Sequence, residues 1–283
     1  MTVSTTSDVT VPRNYAARLG ATLWASLAQL VRAPSHSRRA EARRRSARQV
    51  LWFAAGLSVL IIALMYWLDA AEIRLMPPRG TASLWPFRII TDFGKSAYVL
   101  WTLAGLLFAV LVLSAAARGT TRSLLLGLGT RLQFIFLAVL VPVLAGEVLK
   151  LAIGRGRPFV GGEANAFHYS HFHGSEAYQS LPSGHAITAF ALAFAVSALW
   201  PRLRFMMLVY ALMIAATRLV LLAHHPSDVV AGALVGVIGA MFVRYWFAAR
   251  RLGFAIDRDG TVLALPGPSF KRFKRVARNP FGP

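Results

Sequence analysis

Six long apolar runs constrain this chain more than any other feature of its sequence. A helix needs about 20 mainly apolar residues to cross the hydrocarbon core of a bilayer. The predicted spans are 49–68, 97–117, 131–151, 185–200, 205–223 and 229–249. The fourth run is short, and we expect it to extend by one turn into 181–184. These runs predict an all-α, polytopic membrane helix bundle with six transmembrane helices and no second domain.

The charge of the chain fits a membrane protein better than a nucleic-acid-binding protein. Hydrophobic residues make up 56% and charged residues 15% of the chain, against roughly 25% charged residues in soluble domains. The formal net charge is +20, and much of it lies in the two terminal segments. Basic runs beside apolar spans act as topology signals and contact anionic lipid headgroups. We therefore expect anionic lipid as a partner of these segments, and no nucleic acid.

The chain is predicted to comprise three parts: a basic cytoplasmic tail (1–48), a six-span membrane domain (49–250) and a basic cytoplasmic C-terminal tail (251–283). Leucines at helical spacing in 14–32 fit an amphipathic helix on the membrane surface, although a partly disordered tail fits them equally well.

No cleavable signal peptide is predicted. The chain contains no cysteine, which excludes disulfides, thiolate catalysis and cysteine-ligated metals.

The loop charges predict the orientation of the bundle. The positive charge of both tails and of two loops favours the cytoplasmic side for the termini. The opposite face also carries basic residues: Arg74, Arg79, Arg88, Lys95, Lys150, Arg155 and Arg157. With the tails inside, three clusters of unusual polar residues all emerge on the outer face. We expect one pocket there, on the periplasmic side of a bacterial cytoplasmic (inner) membrane.

The first polar cluster is KLAIGRGRP, residues 150–158. Lys150 ends an apolar helix, two glycines loosen the backbone, and Pro158 disfavours helical geometry at Arg157. Two cations are thus held near the membrane surface, although basic residues that snorkel to lipid phosphates would produce the same pattern. Glu147, one turn before Lys150, is predicted to pair with it.

The second cluster is LPSGH, residues 181–185. Ser183 is predicted to cap a helix, and Gly184 would let an anion approach the backbone closely. Free N–H groups at a helix N-terminus bind anions, and His185 would stand beside the bound anion. The alternative is a capped helix with an interfacial histidine, which leaves the histidine unexplained.

The third cluster is TRLVLLAHHPSD, residues 217–228. Arg218 lies in an apolar span, where an unpaired cation costs at least ~2.5 kcal/mol. His224 and Asp228 are four residues apart, so the carboxylate could accept the imidazole N–H and select its tautomer. A histidine oriented in this way is a nucleophile or a base. A structural His–Asp pair is the alternative, and His225 ranks second as the nucleophile.

The remaining histidines carry weaker signals. His168, His171 and His173 form an HxxHxH pattern in the loop before the fourth span. No carboxylate or cysteine completes a metal ligand set there, so contact with a substrate headgroup, or an ordinary polar loop, is favoured over a metal site. His36 lies in the basic tail and gives no functional signal.

Together the three clusters resemble the signature of the type 2 phosphatidic acid phosphatase superfamily. The matching residues are Lys150-x6-Arg157-Pro158, then Pro182-Ser183-Gly184-His185, then Arg218-x5-His224-x3-Asp228. Their order, their spacing and their placement at the outer ends of spans all match. One departure is Thr217, where the family usually has serine; the hydroxyl is retained.

The resemblance implies a metal-independent phosphatase that works through a phosphohistidine. By position, His224 would attack phosphorus, Asp228 would orient His224, and His185 would protonate the leaving oxygen. The phosphoryl oxygens would be bound by Lys150, Arg157, Ser183, Gly184 and Arg218. Phosphoryl transfer mainly requires in-line positioning and charge neutralisation, which three cations and a helix N-terminus supply. No metal and no cofactor are therefore expected.

Three functions remain open at the level of the sequence. The first is a lipid phosphate phosphatase whose substrate is a polyprenyl pyrophosphate, a phosphatidylglycerophosphate or phosphatidate, or a lipid A phosphate. The second is a phosphotransferase that passes the phosphoryl group to another lipid through the same histidine. The third is a non-catalytic binder or transporter of lipid phosphates. The pair of histidines argues against the third, because binding alone needs no nucleophile.

Overall fold

The structure is a computed structural model, and it describes residues 14–78, 80–162 and 164–267. This part of the chain contains a helix bundle and one small hairpin. The α-helices are α1 (Tyr15–Val31), α2 (Arg39–Trp67), α3 (Asp69–Leu75), α4 (Trp85–Asp92), α5 (Ser96–Ala116), α6 (Gly119–Ile153), α7 (Gly184–Leu199), α8 (Arg204–Val220) and α9 (Pro226–Ala249). The hairpin pairs β1 (Phe254–Ile256) with β2 (Val262–Ala264) in antiparallel register. Short 3-10 turns occupy Ala82–Leu84, Glu176–Tyr178 and Pro201–Leu203.

Proline and glycine mark the helix ends that matter for the site. Pro226 is the first residue of α9, where its missing N–H costs nothing and its fixed φ suits a helix. Gly154 ends α6 in the left-handed conformation, with φ 61°. A side chain at Gly154 would collide with the carbonyl of Ser170. Only glycine therefore lets the chain leave α6 beneath the loop that carries His171 and His173.

Helix α7 is the centre of the bundle and packs against α6, α8 and α9. Its contact with α9 is close because Gly232 faces it: a Cβ built there would lie 2.5 Å from the carbonyl oxygen of Ser183. Alanines fill the buried face of α7, and Ala186, Ala189, Ala191 and Ala195 are fully buried. Small residues at both faces let the helix backbones approach, which draws the N-terminus of α7 against the start of α9.

Among the described residues, five helical segments are long and apolar enough to cross a membrane: Arg39–Trp67, Ala82–Ala116, Gly119–Ile153, Pro201–Val220 and Pro226–Ala249. They correspond to five of the six predicted spans, three of which were predicted to run one to three residues past the observed helix end. The remaining prediction, 185–200, corresponds to the apolar helix α7, which has only 16 residues; it begins at Gly184, so the expected extension through 181–183 is wrong. The mostly helical membrane fold is confirmed, while the count of six spans stays a prediction.

Parts of both terminal segments form regular secondary structure. Residues 15–31 form a helix, as one of the two interpretations of 14–32 predicts, and α1 packs along α5. Helix α2 begins at Arg39, ten residues before the first predicted span. Residues 254–264 form the hairpin instead of a plain tail. Residues 1–13 and 268–283 of the predicted tails, and Arg79 among the loop charges, lie outside the described residues.

His36 has a structural role that the sequence does not reveal. The ring is buried, and its Nε2 accepts a hydrogen bond from the backbone N–H of Ile256 at 3.1 Å. Next to it, Phe254 of β1 packs edge-on against Phe134 of α6, with ring centroids 4.7 Å apart. The hairpin is thereby held on one end of the bundle.

Cysteine labelling tests the predicted orientation, because the natural chain has no cysteine. His173→Cys places an exposed thiol at the end of the bundle where α6 ends and α7 begins, and Arg202→Cys places one at the opposite end. We expect a membrane-impermeant maleimide added from the periplasmic side to label the first and spare the second. The reverse pattern would overturn the assignment of both tails to the cytoplasm.

Candidate active site

The three polar clusters meet at one end of the bundle. Helix α6 ends there, α7 begins there, and α8 turns into α9 there. Backbone hydrogen bonds join the segments: the N–H of Ser180 donates to the carbonyl of Arg155, and the N–H of Ser183 donates to the carbonyl of Asp228, each at 3.0 Å. Residues far apart in sequence therefore share one small region, as the predicted topology requires.

Lys150 lies against the first turn of α7. Its Nζ donates to Glu147 Oε1 at 2.6 Å, which confirms the predicted pair. A Cβ built on Gly184 would lie 3.0 Å from the same Nζ. The absence of a side chain at Gly184 thus leaves room for the ammonium group beside the backbone N–H groups of α7.

Ser183 takes the N-cap position of α7, as predicted, but its side chain makes no capping bond. Its Oγ is buried and has no hydrogen-bond partner among the described residues, and the same is true of His185 Nε2. A buried polar atom without a partner is costly. The start of α7 therefore presents a hydroxyl, an imidazole nitrogen and uncapped N–H groups that a bound anion could satisfy.

Arg218, near the end of α8, is oriented by a residue that sequence reasoning did not identify. Its Nη1 donates to Thr91 Oγ1 of α4 at 2.8 Å, and both residues are buried. Gly94 follows α4, and a Cβ built on it would lie 3.3 Å from Cδ2 of His185. The segment around α4 therefore forms the wall of the site next to Arg218 and His185.

His224 is buried, and its hydrogen bond determines its tautomer. Its Nδ1 lies 2.8 Å from the carbonyl oxygen of Ser180. A carbonyl oxygen only accepts, so Nδ1 carries the proton and Nε2 keeps a free lone pair. Burial, with the positive charges of Arg218 and Arg157, lowers the pKa of His224 well below 6.5. The imidazole is therefore neutral at neutral pH, as a nucleophile must be.

Asp228 does not bond directly to His224, which corrects the predicted contact. Its Oδ2 lies 3.9 Å from His224 Nδ1, too far for a hydrogen bond. The carboxylate is already occupied: Oδ2 accepts from the hydroxyl of Ser180 at 2.5 Å and from the backbone N–H of His225 at 2.9 Å. Asp228 thus holds Ser180, and the carbonyl of Ser180 holds His224.

Arg155 is the centre of a fully buried network behind these residues. Its Nη1 donates to Asp228 Oδ1 and to Ser227 Oγ, each at 2.6 Å. Its Nη2 donates to Asp69 Oδ2 at 2.7 Å, and both Nε and Nη2 donate to the carbonyl of Ala166. Every N–H group on one guanidinium is directed at α3, α9 or the loop that precedes α7. This fork geometry is specific to arginine.

Asp69, the first residue of α3, completes the network. Its Oδ1 accepts from the backbone N–H of Ser227 at 3.0 Å, and Ser227 Oγ donates to its Oδ2. Asp69 therefore caps the first turn of α9 from a different helix. Nearby Glu72 is buried, and burial, with the negative charges of Asp69 and Asp228, raises the pKa of Glu72 to about 8. A protonated Glu72 adds no third negative charge near Asp69 and Asp228 at neutral pH.

Sequence reasoning placed Arg155 among ordinary loop charges and did not single out Asp69, Ser180 or Thr91. The available signal for Arg155 was its position in KLAIGRGRP, between Lys150 and Arg157 at the end of an apolar helix. Asp69 offered a comparable signal, since it is an acid directly after an apolar span. Neither signal identifies its partner, because the partners are 86 residues apart.

The loop histidines do not converge. His171 Nδ1 lies 3.2 Å from the carbonyl of Ala152, and His173 Nδ1 lies 2.9 Å from Ser175 Oγ. Within the described ranges, no group of three or more His, Asp or Glu side chains is arranged to hold a metal ion.

Comparison with known proteins places this geometry in a family. Residues 131–252 match the PAP2 superfamily. A lipid A 1-phosphatase of Rhizobium johnstonii is 34% identical over 180 residues, which cover 62% of this chain and 72% of the relative. The chain belongs to the PAP2 superfamily.

Two further relatives of this PAP2 protein are informative. A lipid A 1-phosphatase of Rhizobium etli is 33% identical over 180 residues, covering 62% of this chain and 76% of the relative. The bacitracin transport permease protein BcrC of Bacillus licheniformis is 29% identical over 170 residues, covering 58% and 79%. No solved structure matches the chain. The PAP2 match contains all eight predicted site residues, whereas Asp69 and Thr91 precede it.

Proposed function

We propose that the protein is a phosphatase that hydrolyses the phosphate of a membrane-anchored lipid through a phosphohistidine on His224. One observation carries the proposal: a buried, neutral His224 whose Nδ1 is bonded to Ser180, so that its Nε2 lone pair is free. The positive charges of Arg157 and Arg218 act on this ring. A neutral nucleophile beside fixed cations suits attack on the phosphorus of a negatively charged phosphoryl group.

The phosphoryl group binds at the start of α7 in this proposal. Its oxygens accept hydrogen bonds from Lys150, Arg157 and Arg218, from the Ser183 hydroxyl and from the backbone N–H of Gly184. The support is the placement of these groups: Lys150 lies against Gly184, and the Ser183 hydroxyl is buried without a partner. Such preorganised donors neutralise the transferring group without any reorganisation at the moment of reaction.

The proposed reaction proceeds in two steps. The Nε2 lone pair of His224 forms the N–P bond while the P–O bond to the leaving group breaks, and His185 gives its proton to the leaving oxygen. Water then attacks the phosphohistidine, His185 takes a proton from it, and the N–P bond breaks to release inorganic phosphate. Asp228 and Ser180 keep the His224 ring in place through both steps.

The substrate favoured by the relatives is lipid A carrying a phosphate, because two of them are named lipid A 1-phosphatases. Polyprenyl pyrophosphates, phosphatidylglycerophosphate and phosphatidate are the competing lipid phosphates. Phosphate release from each of these, measured with purified protein in detergent, tests the assignment. Turnover of soluble phosphate esters in preference to every lipid would contradict a lipid phosphatase.

Activity is expected to persist in excess EDTA. The proposed site neutralises the phosphoryl group with Lys150, Arg157, Arg218 and the start of α7, so no divalent ion is needed to bind the substrate. The measurement is phosphate release before and after dialysis against EDTA, followed by addition of Mg²⁺ or Zn²⁺. Loss of activity on chelation and recovery with either metal would refute the metal-free mechanism.

A further inference from the structure

A pair of arginines, Arg204 and Arg244, lies at the end of the bundle opposite the candidate active site. Arg204 is the first residue of α8, whereas Arg218 is near its last, and the rise along the helix separates the two by roughly 20 Å. Arg244 lies near the C-terminal end of α9, whose first turn carries Asp228. Both arginines line one groove of about 800 Å³ formed by residues of α2, α7, α8 and α9.

The wall of the groove is mainly apolar. Besides the two arginines it exposes aromatic and aliphatic side chains from all four helices, among them Trp52, Phe53, Phe190, Leu208, Val237 and Met241. A mainly apolar groove that carries two cations does not suit a small inorganic anion, which would fill only the part beside the cations. It suits a molecule with an anionic head and an apolar chain.

The two arginines lack an acidic partner in the described ranges. Neither is within 4.0 Å of a carboxylate oxygen there. The guanidinium of Arg244 instead lies over the ring of Phe194, 5.0 Å from its centroid, and the two positive charges repel one another. Two adjacent cations in apolar surroundings are stabilised by an anion placed between them.

We propose that this groove binds an anionic phospholipid, with its phosphate between Arg204 and Arg244 and an acyl chain along the apolar wall. The lipid belongs to the leaflet opposite the candidate active site, so it is not the substrate. The groove is lined by Phe190, Ala193 and Phe194 of α7 and by Val237 and Met241 of α9. The bound lipid therefore braces the two helices whose other ends carry His185 and Asp228.

The test is the retention of phosphatidylglycerol against phosphatidylcholine with identical acyl chains, measured by native mass spectrometry on delipidated protein. We expect the wild type to retain phosphatidylglycerol preferentially. Arg204→Gln and Arg244→Gln are each expected to weaken that retention about fivefold, since a basic residue contributes about that factor toward an anionic lipid. Arg202→Gln is the matched control, because Arg202 is exposed at the same end and does not line the groove.

A third variant tests the apolar part of the groove separately from the charge of the two arginines. Leu208→Trp keeps both arginines but narrows the apolar channel, and Leu208 is half exposed, so the fold should tolerate it. We expect it to lower the retention of phosphatidylglycerol while the thermal unfolding temperature in lipid-free detergent stays unchanged. Equal retention of both lipids by the wild type, or an equal loss in Arg202→Gln and Arg244→Gln, would overturn the proposal.

Discussion

His224→Ala is expected to abolish both phosphohistidine formation and turnover, whereas His185→Ala is expected to lose activity mainly with poor leaving groups. Loss of a nucleophile in a hydrolase costs on the order of 10⁴–10⁶-fold in turnover. In the proposed mechanism no other group can take over from His224. The imidazole of His224 is buried, and the fixed proton on Nδ1 makes Nε2 its reacting atom.

His185 responds differently because its proposed role is to supply a proton. General acid catalysis contributes roughly 10²–10⁴-fold when the leaving group is a poor one. A sugar or alcohol leaving group needs that proton, but a nitrophenolate does not. We therefore expect His185→Ala to recover much of its activity with a nitrophenyl phosphate, and His224→Ala to recover none.

The measurement combines steady-state rates over a series of leaving groups with trapping of the phosphoenzyme by alkaline denaturation, because the N–P bond of phosphohistidine hydrolyses in acid. Mass spectrometry should locate the phosphate on His224 and not on the adjacent His225. His171→Ala is the matched control, since His171 is exposed and bonds only to the carbonyl of Ala152. Identical responses of the two variants to leaving-group pKa would contradict the assigned roles, as would phosphate on His225.

Motif spacing predicts which residues meet but not how they are connected. Lys150, Ser183, His185 and His224 come together because helix ends alternate between the two faces of a bundle, a property that the succession of apolar runs predicts. The direct hydrogen bond that the spacing of His224 and Asp228 allows does not form, since a separation of four residues implies a bond only when both lie on one helix. Here α9 begins at Pro226, and His224 precedes it.

The buried network shows a different limit of sequence reasoning. Arg155 contacts Asp69 and Asp228, which are 86 and 73 residues away. Charge patterns along the chain reveal pairs within one helix, such as Glu147 and Lys150, because helical spacing brings them together. Pairs between helices depend on the packing of α3 against α9, which no local pattern encodes.

Arg155→Met is expected to cost about 3–5 kcal/mol in the free energy of unfolding. This is the usual cost of removing one partner from a buried ion pair, because the other charge stays buried without compensation. Two carboxylates, Asp69 and Asp228, would be left facing each other, and both are fully buried. Arg131→Met is the matched control: Arg131 is also buried, but its guanidinium bonds only to the carbonyls of Gly127, Leu265 and Pro266. The Arg131→Met substitution therefore leaves no buried carboxylate without its partner.

The Arg155→Lys variant tests whether Arg155 positions the turn that carries His224 as well as stabilising the fold. Lysine keeps the positive charge but cannot bond to Asp69, Ser227 and Asp228 together, because an ammonium lacks the planar fork. The turn that carries His224 then loses its fixed position, and a displacement of about 1 Å from the reacting geometry can cost ~10²-fold in rate. We expect kcat per folded molecule to fall by about that factor while KM changes little, since Lys150, Arg157 and Arg218 still bind the phosphate. A change in KM with kcat intact would instead place Arg155 in contact with the substrate, and an unchanged kcat would show that the network serves stability alone.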